Sequence, residues 1–566
     1  MKRYSLLAIL VIAAFLRIWN LGVNPPHLTP DEAALGYNAY SILKTGRDEY
    51  GKLLPIVFKS FGDYKPGLYV YATVPFVFLF DLNEVSVRLA SSLSGIFAVF
   101  IIYHIVNLLL EVENKKNKGV FSPALLSSLI LAISPWHIHF SRGAWEINIA
   151  LTLTLLGIYC VLKSFTNNKY LIPAALSFGA TLTAYQGAKL SSLIVLFLLA
   201  IIYRKKISKI NLKVLVLSFF VGLIVAFPII ASFSKGETGR LKVFSVFSYT
   251  RPQEYLTDLL ATADVKFGSP EYYLYYSENL NITKGIMGRW FNHFSPRFLF
   301  FEGDWQNPRH SAPSSGEMLF VDSLFLLCGL YILINANNTG ARFILLWLLL
   351  APLPSALSRD QIHAVRSYNM VIPLVVVTAF GLSFFSQKVS EWGKVKYVGI
   401  LGVFLLYLAS VFYFLDAYFV HQPIHNARYW DYGYKQLVEI ITPIQHDYKK
   451  VKIHFTYAQP YIYFLFYQKY DPATYQKNAY LEESRYGDVG RVTNLDNISF
   501  EYLNWTTARG DFGTLFAADS ETIPIQDSVD PGEFKQIGEI TLPTGEMIFR
   551  LVEVLDESNV NRYKVF

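Results

Sequence analysis

Three ionisable residues near the amino terminus have types and spacing that suit chemistry on a phosphate-bearing substrate. Asp31 and Glu32 follow the first apolar segment, and Lys65-Pro66 stands just before the apolar chain resumes. Ionisable residues are costly to keep near lipid and usually serve a function there. A lysine can hold a phosphate as a point charge, and a carboxylate can take up or release a proton. The pattern predicts a membrane enzyme.

A purely structural interpretation of the same residues is also available. Thr29, Pro30 and Glu32 have the spacing of a helix-capping box, in which Thr29 is the N-cap and Pro30 takes the first helical position. That interpretation explains Glu32 and predicts that Glu32→Gln is a mild change. It explains Asp31 only weakly, as an acid near a helix dipole. Lys65 alone could be a lysine extending to the headgroup layer.

A second group of polar residues lies in the segment 134–146, between two apolar runs. His137 and His139 are two positions apart, so they would face opposite sides of a helix, and we expect no metal site there. Glu146 could complement the dipole of the helix that it begins. Arg142 could pair with Glu146.

A third group precedes another apolar run, in the segment 359–366. Arg366 stands at the start of an apolar helix and therefore needs a partner. A lipid headgroup phosphate, a substrate phosphate and Asp360 are the three alternatives, and His363 lies beside them in the sequence.

The composition places most of the chain in a membrane. Of 566 residues, 53% are hydrophobic and 16% charged, and the mean hydropathy is +0.31. The net charge of +7 arises in particular short loops, so it does not indicate nucleic-acid binding. Cys160 and Cys328 both lie in apolar runs, which argues against a disulfide framework or a zinc site.

Eleven apolar runs predict a polytopic helical membrane protein with about 11 transmembrane helices. The runs are 4–22, 84–110, 120–138, 147–164, 169–185, 189–203, 212–232, 318–334, 342–357, 367–386 and 396–418. The lysine- and arginine-rich loops 111–119, 203–213 and 386–396 should be cytoplasmic. A shorter apolar stretch, 67–80, is interpreted as an interfacial or re-entrant helix. A count of thirteen spans would preserve the same sidedness.

The predicted path leaves the loops 23–66 and 233–317 and everything after 418 outside. Two domains follow: a transmembrane module over 1–418 and a soluble extracytoplasmic α/β domain over 419–566. Runs typical of strands occupy 451–457 and 515–519, and the segment 535–554 predicts a hairpin that turns at 543–545. Residues 459–470 predict a short buried helix.

The opening pattern resembles the C superfamily of membrane glycosyltransferases. A first helix leads to Pro30-Asp31-Glu32 and then to Lys65-Pro66, and the segments 84–99 (with Arg88), 141–146 and 362–374 match the same group. More narrowly, the chain is similar to bacterial relatives of the dolichyl-phosphate-mannose–protein mannosyltransferases and of the lipid A aminoarabinose transferase. The similarity covers roughly 1–385 and says little about the acceptor.

The resemblance implies an inverting transfer of a sugar from a polyprenyl-phosphate donor. It places Asp31 as the catalytic carboxylate, with Glu146 near a second functional acid that is usually Asp in the family. It places Lys65 at the lipid phosphate. Substrate-binding roles are predicted for a wider set: Glu32, Lys65, Arg88, Arg142, His363 and Arg366.

The leading hypothesis is therefore a plasma-membrane glycosyltransferase whose active site is extracytoplasmic. No cofactor is predicted, a divalent-metal requirement stays open, and the acceptor could be a protein, a lipid or a glycan. The expected partners are the lipid donor, the acceptor and the membrane. The loop 233–317 could close over them as a lid. The alternatives are a transporter or flippase for a lipid-linked glycan and a non-catalytic scaffold. The clustering of charges at the outer ends of the spans favours the enzyme.

Overall fold

The computed structural model describes residues 2–111, 122–236, 244–248, 251–457, 459–483, 489–529 and 532–556. Most of the basic loop 111–119 and parts of the loop 233–317 therefore lie outside the described residues. The chain divides into two compact units. Unit 1 comprises 1–17, 93–141 and 146–417, and unit 2 comprises 18–92, 142–145 and 418–566.

Unit 1 is helical, as its long apolar runs predict. Its helices are Lys2–Ile18, Glu84–Glu111, Pro123–Ile133, Pro135–Arg142, Glu146–Ser164, Leu171–Ala184, Ala188–Ile202, Arg204–Ile207, Leu212–Ser234, Gln253–Thr262, Glu278–Asn292, Asp322–Asn335, Thr339–Leu350, Leu353–Ala356, Ala364–Ser367, Val371–Ser390 and Lys396–Asp416. The first, second and fourth of them extend into unit 2. Short 3₁₀ or π turns occur at Asn168–Tyr170, Val246–Ser248, Tyr272–Tyr276, Arg297–Phe301, Pro308–His310, Tyr368–Met370 and Gly393–Val395.

A helix occupies each of the eleven predicted apolar runs. Among the described residues, six helical segments are long and apolar enough to cross a membrane. They are Glu84–Leu109, Glu146–Ser164, Leu212–Ser232, Thr339–Ala356, Ala364–Ser390 and Gly393–His425. The pair Pro123–Ile133 and Pro135–Arg142, bent by 54°, would be a seventh. The chain is thus a multi-pass membrane protein, as predicted, with six or seven candidate spans.

Glycines permit close packing inside unit 1. A Cβ atom on Gly329 would lie 1.9 Å from the carbonyl oxygen of Val377, and one on Gly381 would lie 2.0 Å from that of Phe325. The helices Asp322–Asn335 and Val371–Ser390 can therefore approach only because these positions lack side chains. Small residues at helix interfaces are characteristic of membrane bundles.

The amino-terminal part of unit 2 is a helix, a hairpin and a second helix. Helix Pro30–Thr45 ends at Gly46, whose φ of 69° suits a glycine C-cap. Strands β1 (Val57–Ser60) and β2 (Asp63–Pro66) pair antiparallel, and helix Leu68–Phe80 follows. That helix occupies the stretch predicted to be interfacial or re-entrant.

The carboxy-terminal part of unit 2 contains a mixed sheet. Its strands are β3 (Lys450–His454), β4 (Asn494–Leu495), β5 (Ile498–Glu501), β6 (Thr514–Ala518), β7 (Phe534–Thr541) and β8 (Met547–Val554). The order is β4-β5-β3-β6-β8-β7, with β3 parallel to β5 and β6. The helices are Gln422–His425, Tyr434–Ile441, Tyr461–Tyr467, Pro472–Asn478, Trp505–Ala508 and Gln526–Val529, and short turns occur at Ala417–His421, Ala427–Trp430 and Gln445–Asp447.

Local sequence signals predicted this region well. The antiparallel hairpin β7–β8 is present, and the Leu542 N–H bonds to the Glu546 carbonyl across its turn at 2.7 Å. The predicted strands near 451 and 515 are β3 and β6. Helix Tyr461–Tyr467 is buried along most of its length, as predicted.

The two parts of unit 2 pack through their helices. A Cβ atom on Gly36 would lie 2.6 Å from the ring of Phe466, so helix Pro30–Thr45 lies directly against helix Tyr461–Tyr467. The Tyr37 hydroxyl donates to the carbonyl of Tyr470 at 3.1 Å. The carboxy-terminal segment therefore packs against the helix that carries Asp31 and supports it.

Candidate functional site

Asp31 lies in the first turn of helix Pro30–Thr45, in a rigid setting. The predicted capping box is present: Thr29 Oγ1 accepts from the Glu32 N–H at 3.2 Å, and the Glu32 carboxylate accepts from the Thr29 N–H at 3.0 Å. Pro30 occupies the first helical position. The cap fixes the backbone at Asp31 while its side chain remains 56% exposed. A carboxylate so held is available to a substrate.

Lys65 reaches Asp31 from the hairpin. Its Nζ forms an ion pair with Asp31 Oδ1, and its side chain is only 18% exposed. The lysine belongs to β2, where it pairs with Phe58 of β1, and its ammonium group lies 5.6 Å from the centre of the Phe61 ring. The structure thus brings together the acid and the lysine that the sequence analysis selected.

Glu32 is buried beneath Asp31 and binds three donors. Besides the Thr29 N–H, its Oε1 accepts from Arg88 Nε at 3.1 Å and from the Ala144 N–H at 2.8 Å. Arg88 is fully buried, and its other nitrogens donate to the carbonyls of Leu21, Pro25 and His27. Glu32 and Arg88 therefore tie helix Pro30–Thr45, the chain leading into it and the segment 142–145 together.

Arg142 supports the same connecting chain. Its guanidinium donates to the carbonyl of Asn24 at 2.9 Å and to that of Asn20 at 3.3 Å. It also lies over the ring of Phe419, 4.8 Å from its centre. With Arg88, it holds the segment 20–27 from two sides, so both arginines act on the approach to Asp31.

Glu146, His363 and Arg366 belong to unit 1. Glu146 begins helix Glu146–Ser164, as predicted, and is partly buried. Arg366 forms an ion pair with Asp360, one of the three predicted partners, and its guanidinium lies 4.6 Å from the centre of the Phe244 ring. The His363 ring accepts the Arg366 N–H at 3.4 Å and caps helix Ala364–Ser367.

A cluster around His363 was missed by the sequence analysis. Asp304, His310 and His363 offer one ligand atom each within 4.8 Å of one another, a group that could hold a metal ion. His310 Nδ1 donates to Asp304 at 2.9 Å, and the Ala364 N–H donates to the same oxygen at 2.8 Å. No metal ligand was predicted from the sequence, because Asp304 lies alone in a loop and His363 is far from it in the chain.

Burial shapes the protonation of this cluster. Burial lowers the pKa of His310 and lowers that of His363 well below its usual range, so both rings are neutral at pH 7. Burial would raise the pKa of Asp304, but the hydrogen bonds from His310, the Ala364 N–H and Asn307 together outweigh it and hold this pKa below its usual value. A carboxylate with two neutral imidazoles is a donor set typical of zinc.

A second buried acid, Glu49, lies in unit 2 and was also missed. Asn38 Nδ2 donates to Glu49 Oε1 at 3.1 Å, and the Glu49 N–H donates back to Asn38 Oδ1 at 3.0 Å. Burial raises the pKa of Glu49 to about 8. The carboxyl is therefore largely protonated at neutral pH and supports helix Pro30–Thr45 from below.

Comparison with known proteins finds a family similarity in the amino-terminal part of the chain. Residues 7–230 match the family model described as dolichyl-phosphate-mannose-protein mannosyltransferase. Over these residues the chain is similar to that family. The resemblance and the enzyme class predicted from the sequence, a membrane glycosyltransferase, are thereby confirmed. No curated protein sequence matches the chain.

Two solved structures share the fold over nearly the whole length. The crystal structure of ArnT from Cupriavidus metallidurans in the apo state matches with a TM-score of 0.54 and 12% identity, covering 98% of both chains. The same protein bound to undecaprenyl phosphate matches with a TM-score of 0.53 and 11% identity, covering 97% of this chain and 98% of that chain. At this identity the likeness is one of fold.

Proposed function

We propose that this protein transfers a sugar from a polyprenyl-phosphate donor to an extracytoplasmic acceptor, with inversion at the anomeric carbon. The observation that carries the proposal is the Asp31–Lys65 pair, an exposed carboxylate on a capped helix held against a half-buried lysine. The structural relative captured with undecaprenyl phosphate supports the choice of donor.

Asp31 acts as general base in this mechanism. The acceptor hydroxyl attacks the anomeric carbon while the bond from that carbon to the phosphate oxygen breaks. The hydroxyl proton passes to Asp31, and the polyprenyl phosphate leaves with the bonding electrons. A single displacement of this kind inverts the configuration. General-base catalysis of this kind contributes roughly 10²–10⁴-fold in rate.

Lys65 stabilises the departing phosphate. Before the donor binds, its charge is matched by Asp31. When a donor phosphate takes over part of that contact, the lysine neutralises charge that develops on the leaving group, and the carboxylate is released to accept a proton. Binding of the donor would therefore free the Asp31 carboxylate from its ion pair with Lys65, so that it can accept the proton.

Glu32, Arg88 and Arg142 take positioning roles in this proposal instead of the substrate-binding roles predicted from sequence. Their side chains are buried and bond to the backbone around residues 20–29 and 144. For Glu146 we retain a second catalytic carboxylate role, and for His363 and Arg366 a role at the substrate. The side chain of Arg366 is 15% exposed, so a phosphate could reach its guanidinium.

The topology proposed with this function is the one predicted from charge. Eleven spans place the loops 23–66 and 233–317 and the chain after 418 on the extracytoplasmic side of the plasma membrane. A transmembrane module over 1–418 and an α/β domain over 419–566 complete that proposal. The sugar and the acceptor are left open.

The test compares cell-envelope glycans by mass spectrometry in cells that carry wild type, Asp31→Asn, Asp63→Asn or no gene. Asn is nearly isosteric with Asp and keeps the helix start, so Asp31→Asn should insert normally. We expect the gene-dependent glycan to be lost in Asp31→Asn, since general-base removal costs about 10²–10⁴-fold in rate. Asp63→Asn removes a carboxylate from the same strand as Lys65 and should keep the glycan. A wild-type amount of glycan in Asp31→Asn cells would refute the assignment, and Glu146 would be tested next.

A further inference from the structure

Unit 1 has an exposed aromatic surface, whose residues lie in the chain between helices Leu212–Ser234 and Asp322–Asn335. We define it by Phe267, Tyr273, Leu274, Tyr275, Met287 and Phe291, whose side chains are between 54% and 71% exposed. Water is a poor environment for so much apolar area in one segment. The surface therefore requires an occupant.

The members of this surface lie in two adjoining pieces. The Phe267 ring contacts that of Tyr272, with centroids 4.6 Å apart, and Tyr273–Tyr275 continue the same turn. Met287 and Phe291 are four residues apart in helix Glu278–Asn292, so they lie on one face of it. The exposed Lys284 lies one turn earlier on that face.

Two other residues of helix Glu278–Asn292 fix the helix to the end of a candidate span. Arg289 Nε donates to the carbonyl of Ala356 at 2.9 Å, and Trp290 Nε1 donates to that of Leu349 at 2.8 Å. Both carbonyls belong to the last turns of the span Thr339–Ala356. The helix is thereby held at the depth where a membrane helix leaves the hydrocarbon core. Tyr and Trp are enriched at that depth.

The same helix reaches the loop that carries Arg366. Asn292 Nδ2 donates to the carbonyl of Gln361 at 3.1 Å, and His293 Nε2 accepts from the His363 N–H at 3.4 Å. A lipid whose headgroup lies against the aromatic surface would therefore have its phosphate at the level of Arg366.

We propose that the aromatic surface lies in the headgroup layer of the bilayer and presents a lipid phosphate to Arg366. Its occupant is the leaflet itself, since the surface continues from the end of a membrane span. The first half of this proposal stands alone, whereas the delivery of a donor phosphate rests on the proposed function. The sequence shows only that these residues lie in a long loop. The hydrogen bonds to the carbonyls of Leu349 and Ala356 place that loop at the end of a membrane span.

The first experiment measures depth directly. Leu274→Cys and Thr544→Cys are labelled with an environment-sensitive NBD fluorophore and placed in phosphatidylcholine nanodiscs with or without brominated lipid. Thr544 lies in the polar turn of hairpin β7–β8 and serves as the matched control. We expect a blue-shifted emission quenched by brominated lipid at 274 and a water-like, unquenched emission at 544. Water-like emission at 274 would overturn the proposal, and a second protein as occupant would be indicated if 274 is shielded yet unquenched.

The second experiment tests whether the aromatic surface helps the lipid donor to bind, separately from whether it contacts the membrane. Tyr273→Ser/Leu274→Ser/Tyr275→Ser should raise the apparent KM for the polyprenyl-phosphate donor in bilayers at least about tenfold, with kcat unchanged. Phe512→Ser removes an exposed aromatic from unit 2 and should leave both constants unchanged. An unchanged KM in the triple variant, with quenching at 274 retained, would remove the delivery role and keep the membrane contact. If the wild type transfers no sugar, the labelling experiment still decides the membrane contact.

Discussion

Adjacent acids at the start of helix Pro30–Thr45 should respond oppositely to the same chemical change. Asp31→Asn alters an exposed carboxylate, whereas Glu32→Gln alters a buried one with three N–H donors. The capping box alone predicts that Glu32→Gln is mild, because glutamine also caps. The contact with Arg88 reverses this expectation.

The magnitude follows from the donors around Glu32. A glutamine can place its oxygen toward the Thr29 N–H or toward Arg88 and the Ala144 N–H, but not toward both. In either orientation at least one buried donor faces an NH₂ group, at a cost of about 1–3 kcal/mol. The fully buried Arg88 also loses its counter-charge, and breaking a buried pair costs about 3–5 kcal/mol. The two costs overlap, because both arise from the same contacts of Glu32, so we expect a total loss of roughly 3–5 kcal/mol. This is a large part of the usual stability of a domain, about 5–15 kcal/mol.

The assay is thermal unfolding of the purified protein in detergent, followed by intrinsic fluorescence. Glu32→Gln should lower the midpoint by about 10 °C, and Asp31→Asn should lie close to wild type. The double variant Glu32→Gln/Arg88→Met tests the cause, since removing both charges should recover part of the loss. A Glu32→Gln midpoint equal to that of wild type would refute the buried ion pair as a stabilising element.

Three further outcomes can be measured. Lys65→Ala should raise the apparent KM for the lipid-phosphate donor at least about tenfold, while Lys65→Arg should retain much of the affinity, as judged by initial rates in proteoliposomes. Burial raises the pKa of Glu49 from 4.5 to about 8, so the folded protein retains a proton that the unfolded chain releases. The contribution of Glu49 to stability should therefore be greatest below pH 4.5 and fall as the pH rises to 8, by up to about 1.4 kcal/mol per pH unit. In Glu49→Gln the melting temperature should depend less on pH over that range. Reporter fusions after residues 208 and 390 should be cytoplasmic and a fusion after 280 external; a cytoplasmic signal at 280 would contradict the proposed sidedness.

Features that depend on neighbouring residues were predictable from the sequence. The cap at Thr29–Glu32, the helices at the apolar runs and the hairpin β7–β8 each follow from a repeat or from turn chemistry within a few positions. The short strands β4 and β5 were missed because segments of two and four residues carry no measurable alternation. Their pairing is decided by the neighbouring strand β3.

The partners of buried charges were not predictable in the same way. Arg88 finds Glu32 across 56 positions of sequence, and Asp304 meets the Ala364 N–H across 60. Nothing local to these residues specifies such a meeting, because it depends on how distant helices pack. Asp31 and Lys65 could be selected from the sequence by residue type and position, whereas the buried residues that support them required the structure.

The composition of unit 2 has a consequence for biosynthesis. Its first segment ends at residue 92 and its last begins at residue 418, so more than 300 residues are translated between the two. At ribosomal speeds of about 5–20 residues per second, helix Pro30–Thr45 waits for tens of seconds without Tyr461–Tyr467 to cover Gly36. During that interval the nascent chain displays an unfinished core. A premature stop after residue 92 and before the last segment would leave that core permanently open. Truncated products should therefore be targets for proteases and for chaperones that bind unfolded chains.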